Sequence, residues 1–134
     1  MKSLILVSHG NFCKGIINSV KMILGSQSNL YSINLLEGES PDHFKQRFLE
    51  IAKTLDDFIV FTDLLGGTPY NVVYQLLLEG NYHFELYTGM NLPMVISFIN
   101  SQIIHNDIDI VSEAKKGIKH VNNNISSTIP DEEF

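Results

Sequence analysis

Ser3-Leu4-Ile5-Leu6-Val7-Ser8-His9-Gly10 is the stretch that decides the fold. Its apolar residues run without a break, as in a strand covered on both faces of a parallel sheet. His9 and Gly10 end the run. The next segment, Phe12 to Leu24, has helical spacing through Phe12, Ile16, Ile17, Val20, Ile23 and Leu24, with Gly25 as its stop.

The same alternation continues outward. Leu30 to Leu36 reads as a second strand, and Ser40 with Pro41 opens a second helix as cap and first residue, with the stripe Phe44, Phe48, Ile51, Ala52 and Leu55. Phe58 to Leu64 is a third buried strand. Gly66-Gly67-Thr68-Pro69 then supplies a glycine turn, a Thr68 cap and a proline start for a helix carrying Val72, Val73, Leu76 and Leu77. Phe84 to Thr88 is a fourth strand, Pro93 opens the next helix, and Asp107 to Lys116 is a last one. Ile118 to Val121 reads as a short strand or a loop. The expected architecture is α/β: one three-layer domain with a mostly parallel, doubly wound sheet of four strands and helices on both faces. Residues 1–121 form the domain and 122–134 a polar, frayed tail. Neither an internal repeat nor a linker divides the chain.

Composition narrows the function. At 134 residues the chain suits one domain that needs no disulfide or metal staple. Its single cysteine, Cys13, rules out an intrachain disulfide and points to a reducing cytoplasm. Leu4 to Val7 is too short for the core of a signal peptide, and no segment approaches the roughly 18 apolar residues of a membrane span. A formal net charge of −6 argues against nucleic acid as the partner.

In α/β folds of this kind the ligand crevice lies at the carboxyl ends of the strands, where the strand order reverses. The commonest small arrangement places the first strand beside the third. His9 ends the first and Asp63 the third, so the two meet there. A carboxylate bonded to one imidazole nitrogen fixes the tautomer and leaves the other nitrogen's lone pair free to attack phosphorus. Asp63 can orient either nitrogen. Gly10-Asn11 and Gly66-Gly67-Thr68 sit at helix starts, where open N–H groups and a partial positive charge favour a phosphate. No cofactor is called for, and His9 with Asp63 gives too few ligands for a metal site.

Each residue alone has a plainer reading: a hydrogen-bonded strand-end histidine, an aspartate capping a turn, a tight glycine turn, a sound helix start. Their meeting in one crevice favours chemistry. His43, His83, His105 and His120 read as ordinary, and Cys13 as a small core residue.

Three segments together resemble the enzyme IIA component of the mannose/fructose/sorbose-type, phosphoenolpyruvate-dependent sugar phosphotransferase system. They are Leu6-Val7-Ser8-His9-Gly10 with its following helix, Phe61-Thr62-Asp63-Leu64-Leu65-Gly66-Gly67-Thr68-Pro69-Tyr70-Asn71, and Thr88-Gly89-Met90-Asn91-Leu92-Pro93-Met94. The resemblance covers roughly residues 1–121. It implies a phosphoryl carrier: His9 phosphorylated, Asp63 its partner, Thr68 and the Gly66 and Gly67 amides on the phosphoryl group. It implies HPr as donor, a IIB component as acceptor, and membrane components IIC and IID further on. It also implies a homodimer, with residues 117–122 as the strand that crosses between subunits, and a cytoplasmic protein, peripheral at the membrane through its partners. Leu64-Leu65 departs from members with a polar residue and a tryptophan there. Apolar residues around the crevice, Phe12, Leu64, Leu65 and Met90, are candidates for the docking face.

Rival readings are weaker. A receiver domain phosphorylated on Asp63 needs an acidic pair at the end of the first strand, where Ser8-His9 stands. A phosphohistidine phosphatase needs basic residues around the phosphate, and the motif loops hold none of the nine Lys and Arg. A nucleotide or flavin module needs a glycine or hydroxyl cradle after the first strand, which is missing.

Overall fold

The computed structural model describes residues 1–125. The strands are β1 (Ser3–His9), β2 (Leu30–Leu35), β3 (Phe58–Thr62) and β4 (Glu85–Tyr87), and the helices α1 (Phe12–Leu24), α2 (Pro41–Ala52), α3 (Thr68–Glu79), α4 (Leu92–Ile104) and α5 (Ile110–Lys116). A short 3₁₀ turn follows at Val121–Asn124. All strand pairs are parallel and the order is β2-β1-β3-β4, so the first and third strands are neighbours as expected.

The alternation of side chains on the central strands builds two cores. Leu4, Leu6, Ile59 and Phe61 point to one face, against Cys13, Ile16 and Val20 of α1, Val95, Phe98 and Ile99 of α4, and Ile110 of α5. Ile5, Val7, Phe58 and Val60 point to the other, against Phe44, Phe48 and Ala52 of α2 and Val72, Val73 and Leu76 of α3. Both faces of β1 are thus covered, which is why its sequence is an unbroken apolar run. The strand order reverses between β1 and β3, and the crevice opens there.

Some boundaries differ from expectation. β3 ends at Thr62, so Asp63 and Leu64 lie in the loop beyond it. The stretch 118–121 is not a strand: residues 118–120 carry no regular structure and Val121 starts the 3₁₀ turn. A strand needs a neighbour for its N–H and C=O groups, and among the described residues none pairs with this segment. The tail's first residues, 122–124, belong to that turn. The rest of the expected fraying falls on 126–134, outside the described residues.

Candidate active site

His9 closes β1, and Asp63 follows the last residue of β3. Asp63 Oδ2 accepts twice from His9: from the backbone N–H at 2.9 Å and from Nδ1 at 2.8 Å. A carboxylate offers only acceptors, so Nδ1 carries the proton and the lone pair sits on Nε2. The pairing leaves the two groups unequally exposed, at 47% for the imidazole and 13% for the carboxylate. Asp63 Oδ1 is buried and has no hydrogen-bond partner among the described residues.

Two loops surround the ring. Gly10, at φ +52°, turns the chain from β1 into α1, and its N–H donates to Leu35 O at 2.9 Å. Gly66, at φ +84°, turns it toward α3, in a conformation that a side chain strains. Gly67 lies against His9: a β-carbon there would stand 2.6 Å from Cε1 and 3.2 Å from Nε2. The Gly66–Gly67 turn is braced by Asn71 Nδ2, which donates to Gly66 O at 3.1 Å. The first backbone bond of α3 runs from Asn71 N–H to Gly67 O at 2.8 Å, and the Gly67 N–H makes a long bond back to Leu64 O at 3.4 Å, while the Gly66 and Thr68 N–H groups have no backbone acceptor among the described residues.

Thr68 is not the helix cap expected from sequence. Gly67 holds the cap position, in extended backbone at φ −77°, and Thr68 is the first helical residue. The threonine hydroxyl makes no capping bond. Thr68 is among the residues lining a groove of about 370 Å³ between α2 and α3, with Pro41, Lys45 and Asn71.

Sequence reading passed over Ser8. Its side chain is fully buried, accepts the Cys13 N–H at 2.8 Å and donates to His9 O at 3.2 Å. It therefore caps α1 in place of Asn11, whose side chain makes no cap bond. The available signal was a hydroxyl in an otherwise apolar strand just before the turn. Cys13 is wholly buried and burial pushes its thiol up, against the opposing pull of the Ser8 hydroxyl, so it stays neutral and unreactive.

Phe12, Leu64 and Leu65 are exposed, at 49%, 60% and 67%. Met90 is not: it is 4% exposed and belongs to the core against α4, so it cannot form part of a docking face. Its segment serves the scaffold. Met90 N–H donates to Thr62 O at 3.0 Å, Asn91 caps α4 by accepting from Met94 N–H at 3.0 Å, and Asn91 Nδ2 donates to Ala114 O at 3.1 Å. Sequence reading also missed an aromatic pair on α3, half-buried Tyr70 stacked on exposed Tyr74 with ring centroids 5.5 Å apart.

The fold has known relatives. A family model described as "PTS system fructose IIA component" matches residues 3–116. The fructose-specific EIIA component of Bacillus subtilis is 26% identical over 103 residues, covering 75% of this chain and 70% of that protein. The sorbose-specific EIIA component of Lacticaseibacillus casei is 32% identical over 96 residues, 69% of this chain and 68% of that one. The chain spans about 30% of the length of the mannose-specific EIIAB components that it also matches. The crystal structure of phosphotransferase system component EIIA from Streptococcus agalactiae superposes with a TM-score of 0.83 at 29% identity, over 92% of this chain and 99% of that one. The match spans every strand of the sheet and both loops of the crevice, and the chain belongs to the EIIA family of sugar phosphotransferase-system components.

Proposed function

We propose that His9 is the phosphoryl carrier of this component, taking the group from phospho-HPr and passing it to a IIB component in the course of sugar uptake. The observation that carries the reading is the single-ended imidazole: Nδ1 is held by Asp63 at 2.8 Å, and Nε2 is left beside the Gly67 turn. In the first half-reaction the Nε2 lone pair attacks phosphorus as the donor's P–N bond breaks. In the second, the acceptor's nucleophile attacks and the Nε2–P bond breaks. Asp63 offsets the positive charge that the ring gains between the two. In this reading the Gly66 amide and the Thr68 hydroxyl donate to phosphoryl oxygens, and the Gly67 amide joins them by giving up its long 3.4 Å bond to Leu64 O; Gly10 serves through its turn, since its N–H is spent on Leu35 O at 2.9 Å.

An open position suits transfer between proteins, since both partners must bring a reacting atom to the ring. Phe12, Leu64 and Leu65 provide apolar contact beside it. Sugar choice then lies with the partner chains, and any approach to the membrane is made through them. Among the described residues, no helix is long and apolar enough to cross a bilayer. The homodimer is part of the same proposal. β4 is an edge strand of only three residues, and Ile118, Val121 and Ile125 expose apolar side chains after α5. The segment 117–122 would then find its strand partner on a second copy.

The receiver alternative is disfavoured by Asp63 itself. One of its oxygens already accepts two bonds and the other is buried, leaving no free oxygen to attack phosphorus. The test is intact mass after incubation with phosphoenolpyruvate, enzyme I and HPr. One acid-labile phosphoryl group, absent from His9→Ala, is expected; none on the wild type, with a working control acceptor, would refute the carrier reading.

A further inference from the structure

A chain of hydrogen bonds at the carboxyl end of β2 has its direction set by a charge. The Arg47 guanidinium can only donate. It donates to the two oxygens of Glu39 at 2.9 and 3.0 Å, to Asn34 O at 2.9 Å and to Asn34 Oδ1 at 3.4 Å. The Glu39 side chain is 3% exposed, and it also accepts from Leu36 N–H at 2.9 Å and His43 Nδ1 at 2.6 Å. Burial pushes the Glu39 carboxyl up, but the Leu36 amide, Arg47 and His43 outweigh it and hold the group below the usual carboxylate range. Arg47 is therefore anchored to a carboxylate at neutral pH.

The amide of Asn34 is oriented by this anchor. With Oδ1 turned to the guanidinium, Nδ2 points the other way and donates to Asn11 Oδ1 at 3.5 Å. Asn34 is 4% exposed, so solvent offers it no other arrangement. Asn11 must meet a donor with its oxygen, and so its own Nδ2 is left with two N–H bonds unspent. Asn11 is exposed and stands two residues after His9, at the turn into α1. No acceptor meets that Nδ2 among the described residues. Phosphoryl transfer depends on donors placed in advance around the migrating group, and catalytic hydrogen bonds that are long in the free protein tighten when the site is filled.

Resting on the reading of His9 as the carrier, we propose that the Asn11 side-chain amide donates to phosphoryl oxygens during transfer, and that Arg47 and Asn34 are positioning residues that fix which end of that amide faces the site. One P–N bond breaks as the other forms; Asn11 gives a hydrogen bond and transfers no proton.

Asn34→Asp tests this. It keeps an oxygen for Arg47 but replaces Nδ2 by an acceptor, so the Asn11 amide must turn round and present its oxygen to the site. The measurement is single-turnover transfer from phospho-HPr at increasing donor concentration, which separates the saturating rate from apparent affinity. Asn11→Ala and Asn34→Asp are each expected to slow the saturating rate about tenfold or more with apparent affinity unchanged. In the Asn11→Ala background, Asn34→Asp is expected to cause no further slowing. An Asn11→Ala rate within about twofold of wild type overturns the role of Asn11 alone, and it does so whether or not Asn34→Asp folds. A slowing by Asn34→Asp that persists in the Asn11→Ala background assigns the effect to the added charge and overturns the relay. Wild type that accepts no phosphoryl group overturns the carrier reading beneath it.

Discussion

Gly67 touches His9, with no room between them for a methyl group: a β-carbon at position 67 would lie 2.6 Å from Cε1 and 3.2 Å from Nε2. The backbone of the α3 turn is therefore laid directly along the reactive edge of the imidazole. Its own φ of −77° is open to any residue, so close approach alone demands glycine here.

Gly67→Ala should accordingly push the ring off Asp63 while sparing the fold. The expected result is a drop in the rate of His9 phosphorylation of about tenfold or more, since small displacements of reacting atoms are costly. Circular dichroism and the melting temperature check that the domain stays intact.

Asp63→Asn retains an oxygen able to accept the His9 bonds but removes the negative charge. Slower phosphorylation is expected, by roughly a hundredfold or more, together with a shorter-lived phosphohistidine. Stopped transfer assays and the decay of the acid-labile label measure the two effects separately.

Leu65 is 67% exposed in the loop after β3 and supports nothing in either core. Leu65→Asp is expected to weaken apparent affinity for phospho-HPr several-fold and to leave urea unfolding within about 0.5 kcal/mol of wild type. Unchanged transfer would remove this loop from the docking face.

Glu39 sets an acid limit on stability. Its folded carboxyl is held below the ordinary value of 4.5 by Leu36 N–H, Arg47 and His43 against the upward push of burial. Between that lowered value and 4.5 the unfolded chain binds more protons, so stability rises with pH across the window. The contribution is complete above the unfolded value and is lost as pH falls through the folded one. Unfolding of wild type and Glu39→Gln, followed from pH 7 into the acid range, should show a shallower fall in the variant.

Much of this was legible because local and tertiary demands agree. The run Leu4 to Val7 is apolar because both faces of β1 are covered, and Ser40 with Pro41 starts α2 as read, with the Ser40 hydroxyl accepting from His43 N–H at 3.1 Å. His9 and Asp63 could be paired because a single assumption about strand order brings their strand ends together. Other features depend on three-dimensional neighbours. Thr68 has the chemistry of a cap, yet the close approach of Gly67 to His9 gives the cap position to the glycine. Met90 has the look of a surface methionine in a loop, yet its N–H is tied to Thr62 and its side chain is folded under α4. The part-buried polar chain from Arg47 to Asn11 joins residues as far as 36 positions apart in sequence, which no local pattern announces. Ile118 and Val121 expose apolar side chains, and residues 118–121 have no strand partner among the described residues, so their conformation cannot be read from their sequence alone.

The most direct test of the account is a long-range ¹H–¹⁵N spectrum of the histidine rings before and after phosphorylation by phospho-HPr. The account predicts one phosphorylated ring, His9, with phosphorus on Nε2 and the proton retained on Nδ1. Phosphorus on Nδ1, or on any other residue, would contradict it.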